Sequence, residues 1–268
     1  MYWRNNVVIE QVSVTDRSFQ YGDGCFTTIR VEQGQPVFWS LHKQRMLRAI
    51  ERLKLKPIDW QLTERQLMKL AQSYQHGGIK IHLSRGEGGR GYSPDLEGDT
   101  LVTLSTFAYP SHYQALQLQG VSLALCETRL GLNPLLSGIK HNNRLEQVLI
   151  KHELEQKGYV DGVVLDLNGH VIETSMANVF WLKDGTLYTP NLSQSGVEGV
   201  MRQRVLELTE QWGIPTKTVY VPIETLFDAE EVFMTNSILG VAPVVAITDI
   251  CFNIGDFSRR LQETLGQC

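Results

Sequence analysis

The stretch Val163-Val-Leu-Asp-Leu-Asn-Gly-His-Val-Ile-Glu173 decides the fold class. Two aliphatic runs flank Asn168-Gly169, the pair a type I′ turn demands because both central residues need positive φ. The stretch therefore reads as an antiparallel hairpin. A second hairpin follows, in which Lys183-Asp-Gly185 joins Val179-Phe-Trp-Leu182 to Thr186-Leu-Tyr-Thr189 in the same manner. Helices are expected over 143–157, over 200–212 with Gly213 as terminator, and from Ser258 toward the C-terminus. Mixed runs of strands and helices predict an α+β fold with a barrel-like sheet flanked by helices, not a regular βαβ series.

Working outward, the first half reads as strands over 7–14 and 25–31. The turn Glu32-Gln-Gly-Gln-Pro36 lets Val37-Phe-Trp39 return as a second arm. Ser40 is a good N-cap, and Met46, Ala49, Ile50 and Leu53 behind it form an apolar stripe that places Arg45 in the early turns of a helix. The capping box Thr63-Glu-Arg-Gln66 opens a second helix, which Gly77-Gly78 stops. Strands over 79–83 and 101–107 enclose the loop Gly86-Glu-Gly-Gly-Arg-Gly-Tyr-Ser-Pro94. The pattern weakens around Tyr109-Pro-Ser-His-Tyr113, which marks a linker between an N-terminal domain over 1–110 and a C-terminal domain over 116–268.

Composition excludes several classes. Glycine (23) and proline (9) are at ordinary levels among 268 residues, so collagen-like and low-complexity chains drop out. The formal charge of −4 offers no general field for nucleic acid or an anionic membrane, so any anion must be captured locally. No apolar run is long enough to span a bilayer, and the start lacks a secretory pattern, which predicts a cytoplasmic protein. Cys25, Cys126, Cys251 and Cys268 are scattered without zinc-type spacing, so neither a disulfide framework nor a metal site is expected.

No P-loop, GxGxxG, HExxH or GxSxG signature occurs. The loop around Arg90 is either a flexible connection or a glycine-rich approach to a ligand. Lys140 follows the mostly apolar Leu135-Leu-Ser-Gly-Ile139; it snorkels to water, or loses proton affinity and becomes a nucleophile toward carbonyls. Glu173 ends a strand and either faces water or is buried against a cationic ring nitrogen. Gly196-Val-Glu-Gly-Val-Met201 precedes a helix and offers backbone N–H groups at the positive end of its dipole, a natural phosphate seat. Thr235-Asn-Ser237 closes a strand with three hydrogen-bonding side chains. Together these are the parts of a pyridoxal phosphate site: a carbonyl-reactive lysine, an acid for the pyridine nitrogen, a phosphate seat and hydroxyl donors.

The order of motifs resembles the fold-type IV (class IV) pyridoxal phosphate enzymes over nearly the whole chain. The motifs are Tyr21-Gly-Asp-Gly-Cys-Phe-Thr-Thr28, His42-Lys-Gln-Arg45, Ser84-Arg-Gly-Glu-Gly-Gly-Arg-Gly-Tyr92, Gly138-Ile-Lys-His-Asn-Asn-Arg144, Glu173-Thr-Ser-Met-Ala-Asn-Val-Phe180, Gly199-Val-Met-Arg202 and Met234-Thr-Asn-Ser237. Within the class the chain is most similar to the lyase branch of folate synthesis, on Phe26-Thr-Thr28, Gly88-Gly-Arg-Gly-Tyr92 and Lys140-His-Asn-Asn-Arg-Leu-Glu-Gln147. Branched-chain aminotransferases instead carry Phe-Glu-Gly at the first place and a tyrosine where this chain has Leu145.

The resemblance implies two domains, an N-terminal α/β sandwich and a C-terminal barrel-like one carrying the cofactor lysine, assembled as a homodimer. It implies pyridoxal 5′-phosphate as cofactor and conversion of 4-amino-4-deoxychorismate to 4-aminobenzoate and pyruvate, with an aminotransferase of D-amino or branched-chain acids as the alternative. Lys140 matches the lysine that binds the cofactor, and Glu173 the carboxylate that keeps the pyridine nitrogen protonated. Arg45, the backbone amides of Val200 and Met201, and the Ser237 hydroxyl match the phosphate cup, with Asn236 beside it facing substrate. Thr28 matches a hydroxyl suited to proton transfer, and Arg90 a ligand for a substrate carboxylate.

Overall fold

The computed structural model describes residues 1–4, 7–94 and 98–266; Cys268 lies outside the described residues. The chain divides into two compact units, one formed by Met1–Tyr109 with Ile139–Asn143 and the other by Pro110–Gly138 with Arg144–Cys268. Residues 139–143, Lys140 among them, pack with the first unit although they follow the linker in sequence.

The first unit contains β1 (Tyr2–Arg4), β2 (Val7–Ile9), α1 (Arg17–Tyr21), β3 (Gly24–Glu32), β4 (Gln35–Pro36), α2 (Trp39–Leu53), α3 (Trp60–Ala71), β5 (His76–Ser84) and β6 (Leu101–Ala108). Among the described residues its strands form one six-stranded sheet in the order β2-β1-β6-β5-β3-β4, antiparallel throughout. Period two sorts the strands' residues between faces. Cys25, Ile29, Val31, Ile79, Ile81, Leu83 and Leu104 join Met46, Ala49, Ile50, Leu67 and Ala71 of α2 and α3 in one core. The alternate residues of β3 and β5, Phe26, Thr28, Lys80 and His82, therefore occupy the face away from the helices.

Local starts and stops differ from the sequence reading. The strand expected over 7–14 ends at Ile9. The return arm is Gln35–Pro36, and Phe38 takes φ 52° at the N-cap of α2, so Ser40 lies inside the helix. Asp59 caps α3 by accepting from the Leu62 N–H at 2.9 Å, which puts Thr63 in the first turn, its hydroxyl donating to the Asp59 carbonyl. Gly77 and Gly78 belong to β5, where the rings of Tyr74 and Phe107 occupy the space a side chain would need.

The second unit contains α4 (Tyr113–Gln119), β7 (Val121–Leu125), α5 (Leu145–Lys157), β8 (Asp161–Leu165), β9 (Val171–Thr174), β10 (Asn178–Lys183), β11 (Thr186–Pro190), α6 (Val200–Gln211), β12 (Thr216–Val219), α7 (Glu224–Phe227), β13 (Glu231–Asn236), β14 (Gly240–Ile247), β15 (Ile250–Cys251) and α8 (Asp256–Thr264). Among the described residues the sheet runs β12-β11-β10-β13-β14-β7-β8-β9, with β15 on β14. It is mixed, since β11/β12, β14/β7 and β7/β8 pair in parallel. The Val171 N–H of β9, at one end of the order, donates to the carbonyl of Val221, just past β12 at the other end. The sheet thus curls toward closure, as the barrel-like expectation required. Its interior is filled by Leu123, Val163, Val179, Trp181, Val232, Met234 and Val244.

Asp184 and Gly185 both take positive φ (49° and 67°), the expected type I′ hairpin. The turn at Asn168-Gly169 is different. The Asp166 carboxylate accepts from the N–H groups of Asn168 and His170, and of the two central residues only Gly169 is left-handed. This is the three-residue loop that ends in an αL glycine. The C-terminal helix begins at Asp256 rather than Ser258, because the buried Glu231 carboxylate accepts from the N–H groups of Phe257 and Ser258. No helix among the described residues is long and apolar enough to cross a membrane.

Candidate active site

In the first unit the lysine segment adds itself to the free edge of β3. The Phe26 N–H donates to the Lys140 carbonyl at 2.9 Å and the Asn142 N–H to the Gly24 carbonyl at 3.0 Å, around an antiparallel bridge of Cys25 with His141. This pairing sets Lys140 opposite Phe26, on the face away from the helices, and the Lys140 Nζ lies 4.9 Å from the Phe26 ring centroid. The Asn142 side chain fastens the segment by donating to the Ser18 hydroxyl and the Leu83 carbonyl. Only glycine fits at position 24, where a Cβ would stand 2.0 Å from the Leu83 carbonyl oxygen. The glycine directly before Cys25 is thereby explained by close approach.

Thr28 stands on the same face, directly across from Lys80 of β5. The Lys80 Nζ lies 4.3 Å from the same Phe26 ring, and burial lowers its pKa. A cavity of about 300 Å³ opens on this face beside Lys80 and His82, with Arg4, Thr103 and Ser105 in its wall. Lys80 was not among the sequence candidates. Its signal was the alternation of the strand over 79–83, which assigns Lys80 and His82 to the face opposite Ile79 and Ile81.

Arg45 is 6% exposed on α2. Its Nη2 donates to the Thr27 hydroxyl, which is 2.7 Å from His42 Nδ1. Its Nε is buried without a hydrogen-bond partner, and burial pushes the guanidinium down to about 10. A buried cation with an unmet donor suits an anion such as a phosphate.

The glycine-rich loop is held by Arg17, whose guanidinium donates to the carbonyls of Gly91 and Tyr92 while its Nε pairs with Asp23. Arg85 donates to the same carboxylate at 2.7 Å. Arg90 is exposed in this loop and exchanges backbone hydrogen bonds with Ser93; no described contact ties its side chain to Lys140, Thr28 or Arg45.

In the second unit Glu173 is buried on β9, and its Oε2 accepts from the Val197 N–H at 2.9 Å. Glu173 also acts electrostatically on Arg144, whose pKa burial lowers and whose charge the carboxylate favours. Asn178 ties the following loop to the sheet: its Nδ2 donates to the Val197 carbonyl and its Oδ1 accepts from the Gly199 N–H. A Cβ on Gly199 would sit 2.1 Å from that Oδ1.

Gly199 caps α6 without a side-chain bond, so the first-turn N–H groups at Val200 and Met201 have no acceptor within the helix. Asn178 pairs with Thr235 across β10 and β13, which puts the start of α6 and the turn carrying Ser237 at one end of that ladder. Asn236 is partly committed elsewhere, because its Oδ1 accepts from the N–H groups of Ile238 and Leu239. The sequence reading missed Asn178 as the organiser of this end. Its only signal was its place inside the Glu173-to-Phe180 motif.

Residues 24–247 match the amino-transferase class IV family model. An aminodeoxychorismate lyase from Vibrio harveyi is 48% identical, with 99% of each chain covered. The crystal structure of 4-amino-4-deoxychorismate lyase from Pseudomonas aeruginosa superposes with a TM-score of 0.94 at 37% identity, covering 99% of this chain and 98% of that one. A branched-chain amino acid aminotransferase structure from Escherichia coli gives 0.83 at 25% identity, covering 98% and 92%.

Proposed function

The chain belongs to the class IV aminotransferase family, and on that premise we propose that it is a pyridoxal-phosphate-dependent lyase converting 4-amino-4-deoxychorismate to 4-aminobenzoate and pyruvate. The observation that carries the choice of reaction is the 48% identity, over 99% of both chains, to a lyase of that name.

The donor set fits the cofactor. Arg45, with its unmet Nε, and the first-turn amides at Val200 and Met201 with the Ser237 hydroxyl would hold the phosphate. Glu173, oriented by the Val197 N–H, would keep the pyridine nitrogen protonated. Lys140 would anchor the cofactor's aldehyde carbon. When bound, the protonated ring would supply an electron sink for the loss of the substrate C4 proton and the breaking of the C3–oxygen bond.

The chain's own residues then move protons and hold charge. Freed when the substrate amine takes its place on the cofactor, the Lys140 amine, 4.9 Å from the Phe26 ring centroid, would take the C4 proton. The Thr28 hydroxyl, on the same strand face, delivers a proton to the departing enolpyruvyl group. Lys80 and Arg90 offer cations for the substrate carboxylates, and Asn236 offers its remaining amide donor. Incubation with aminodeoxychorismate and no keto acid tests the reading. Stoichiometric 4-aminobenzoate and pyruvate are expected; turnover only when a keto acid is added would assign an aminotransferase instead.

The enzyme would act in the cytoplasm as a homodimer. Leu145, Val148 and Leu149 form an exposed apolar stripe on α5, and Val7, Val8, Val12 and Phe19 another exposed group on the first unit, surfaces a second copy would cover. Light scattering should return twice the chain mass.

A further inference from the structure

We propose that Thr27 and His42 form a buried hydroxyl–imidazole pair that aims Arg45 at the cofactor phosphate, which makes both of them positioning residues for cofactor binding. The inference rests on the reading of Arg45 as a phosphate ligand. Counting protons fixes the direction of the Arg45–Thr27 bond. A guanidinium only donates, so the Thr27 oxygen accepts from Arg45 Nη2. The one hydroxyl hydrogen of Thr27 is then available to His42 Nδ1 at 2.7 Å in the tautomer that leaves that nitrogen bare, and in the other tautomer the second lone pair of the same oxygen accepts from Nδ1–H. Burial holds the His42 ring neutral, pushing its pKa well below 6.5 with the neighbouring Arg45 charge acting the same way. His42 and Arg45 are three residues apart on α2 and so share one helix face, while Thr27 points at them from the helix side of β3.

The charge around Arg45 explains why such aiming matters. No carboxylate pairs with it among the described residues, and the nearby Cys25 thiol is pushed by burial up to about 12, so it stays neutral and supplies no anion. A buried cation in this setting is stabilised by an arriving anion, and the bond to Thr27 holds the guanidinium plane in one orientation toward it. Its Nε is the buried donor left unmet.

The test compares two ligands that differ only by the phosphate. Dissociation constants of the cofactor-free full chain for pyridoxal phosphate and for pyridoxal are measured by absorbance and by quenching of tryptophan fluorescence. The ratio of the two constants reports the phosphate grip alone. Arg45→Gln should collapse this ratio, Thr27→Val should lower it roughly tenfold, and Thr27→Ser should restore it to within about twofold, as expected for one charge-assisted bond. Thr27→Ala makes the same comparison if the valine variant does not fold. If Thr27→Val weakens both ligands equally while Arg45→Gln collapses the ratio, Thr27 is packing only and the proposal is overturned. If Arg45→Gln leaves the ratio intact, the phosphate reading of Arg45 fails and takes the proposal with it.

Discussion

The two units bring different kinds of chemistry. The first offers side chains projected from a regular sheet and one helix: Lys140, Thr28 and Lys80 on one face of β3 and β5, and Arg45 from α2 behind them. The second offers mostly backbone, the N–H groups that open α6 and the loop that Asn178 braces, with Glu173 the one buried charge of the set. Side chains on a ladder can be exchanged singly, because register holds their neighbours in place. A backbone donor array changes only when the loop that shapes it changes, so substitutions in the two regions should fail in different ways.

The contrast breaks most visibly at Lys140. Lys140→Ala should lower the rate of pyruvate release by at least ~10²–10⁴-fold, the usual worth of a positioned acid or base, with an unchanged denaturation midpoint. Pyruvate release at the normal rate would remove Lys140 from the chemistry. Lys80→Met comes next: losing one charge-assisted contact should raise KM roughly 10–100-fold while leaving cofactor affinity alone. A loss confined to kcat would instead place Lys80 with the proton-transfer groups.

On the loop side, Asn178→Ala should cost about 1–3 kcal/mol of stability in urea titration, because it leaves the Gly199 N–H and Val197 carbonyl without their partner. A smaller effect follows at the clasp of the glycine-rich loop. Burial opposes ionisation of Asp23, yet hydrogen bonds from Arg85 and Arg17 hold its carboxyl below 3.8. A depressed carboxyl contributes stability above its unfolded pKa and loses it as pH falls through the folded one. The gap in midpoint between the parent and Asp23→Asn should therefore be full at pH 7 and shrink below about pH 4. Ser237→Ala should be mildest, weakening cofactor binding by about 0.5–1.5 kcal/mol.

Much of this was legible in the sequence, and the exceptions share a cause. Strand alternation over 25–31 and 79–83, and the apolar stripe behind Arg45, survived because burial of a face enforces them. The starts of α2 and α3 did not, since Phe38 and Asp59 take the cap positions that Ser40 and Thr63 also suit chemically. At Asn168 a nearby carboxylate, Asp166, overrode the turn its dipeptide favours. Lys140, Glu173 and Arg45 could be picked out by motif; alternation gave Lys80 a face and a motif contained Asn178, but the partners that give the two their roles come from cross-strand register, which spacing along a chain does not encode.

The pairing of residues 140–142 with β3 has a consequence for solubility. Between Gly24 and Phe26 the strand would otherwise present bare N–H and C=O groups, a template onto which another chain could add. The lysine segment blocks that template with the same hydrogen bonds that hold Lys140 in place. A change that peels it away should abolish turnover and start aggregation together, so selection against insoluble protein would also guard the position of the reactive amine.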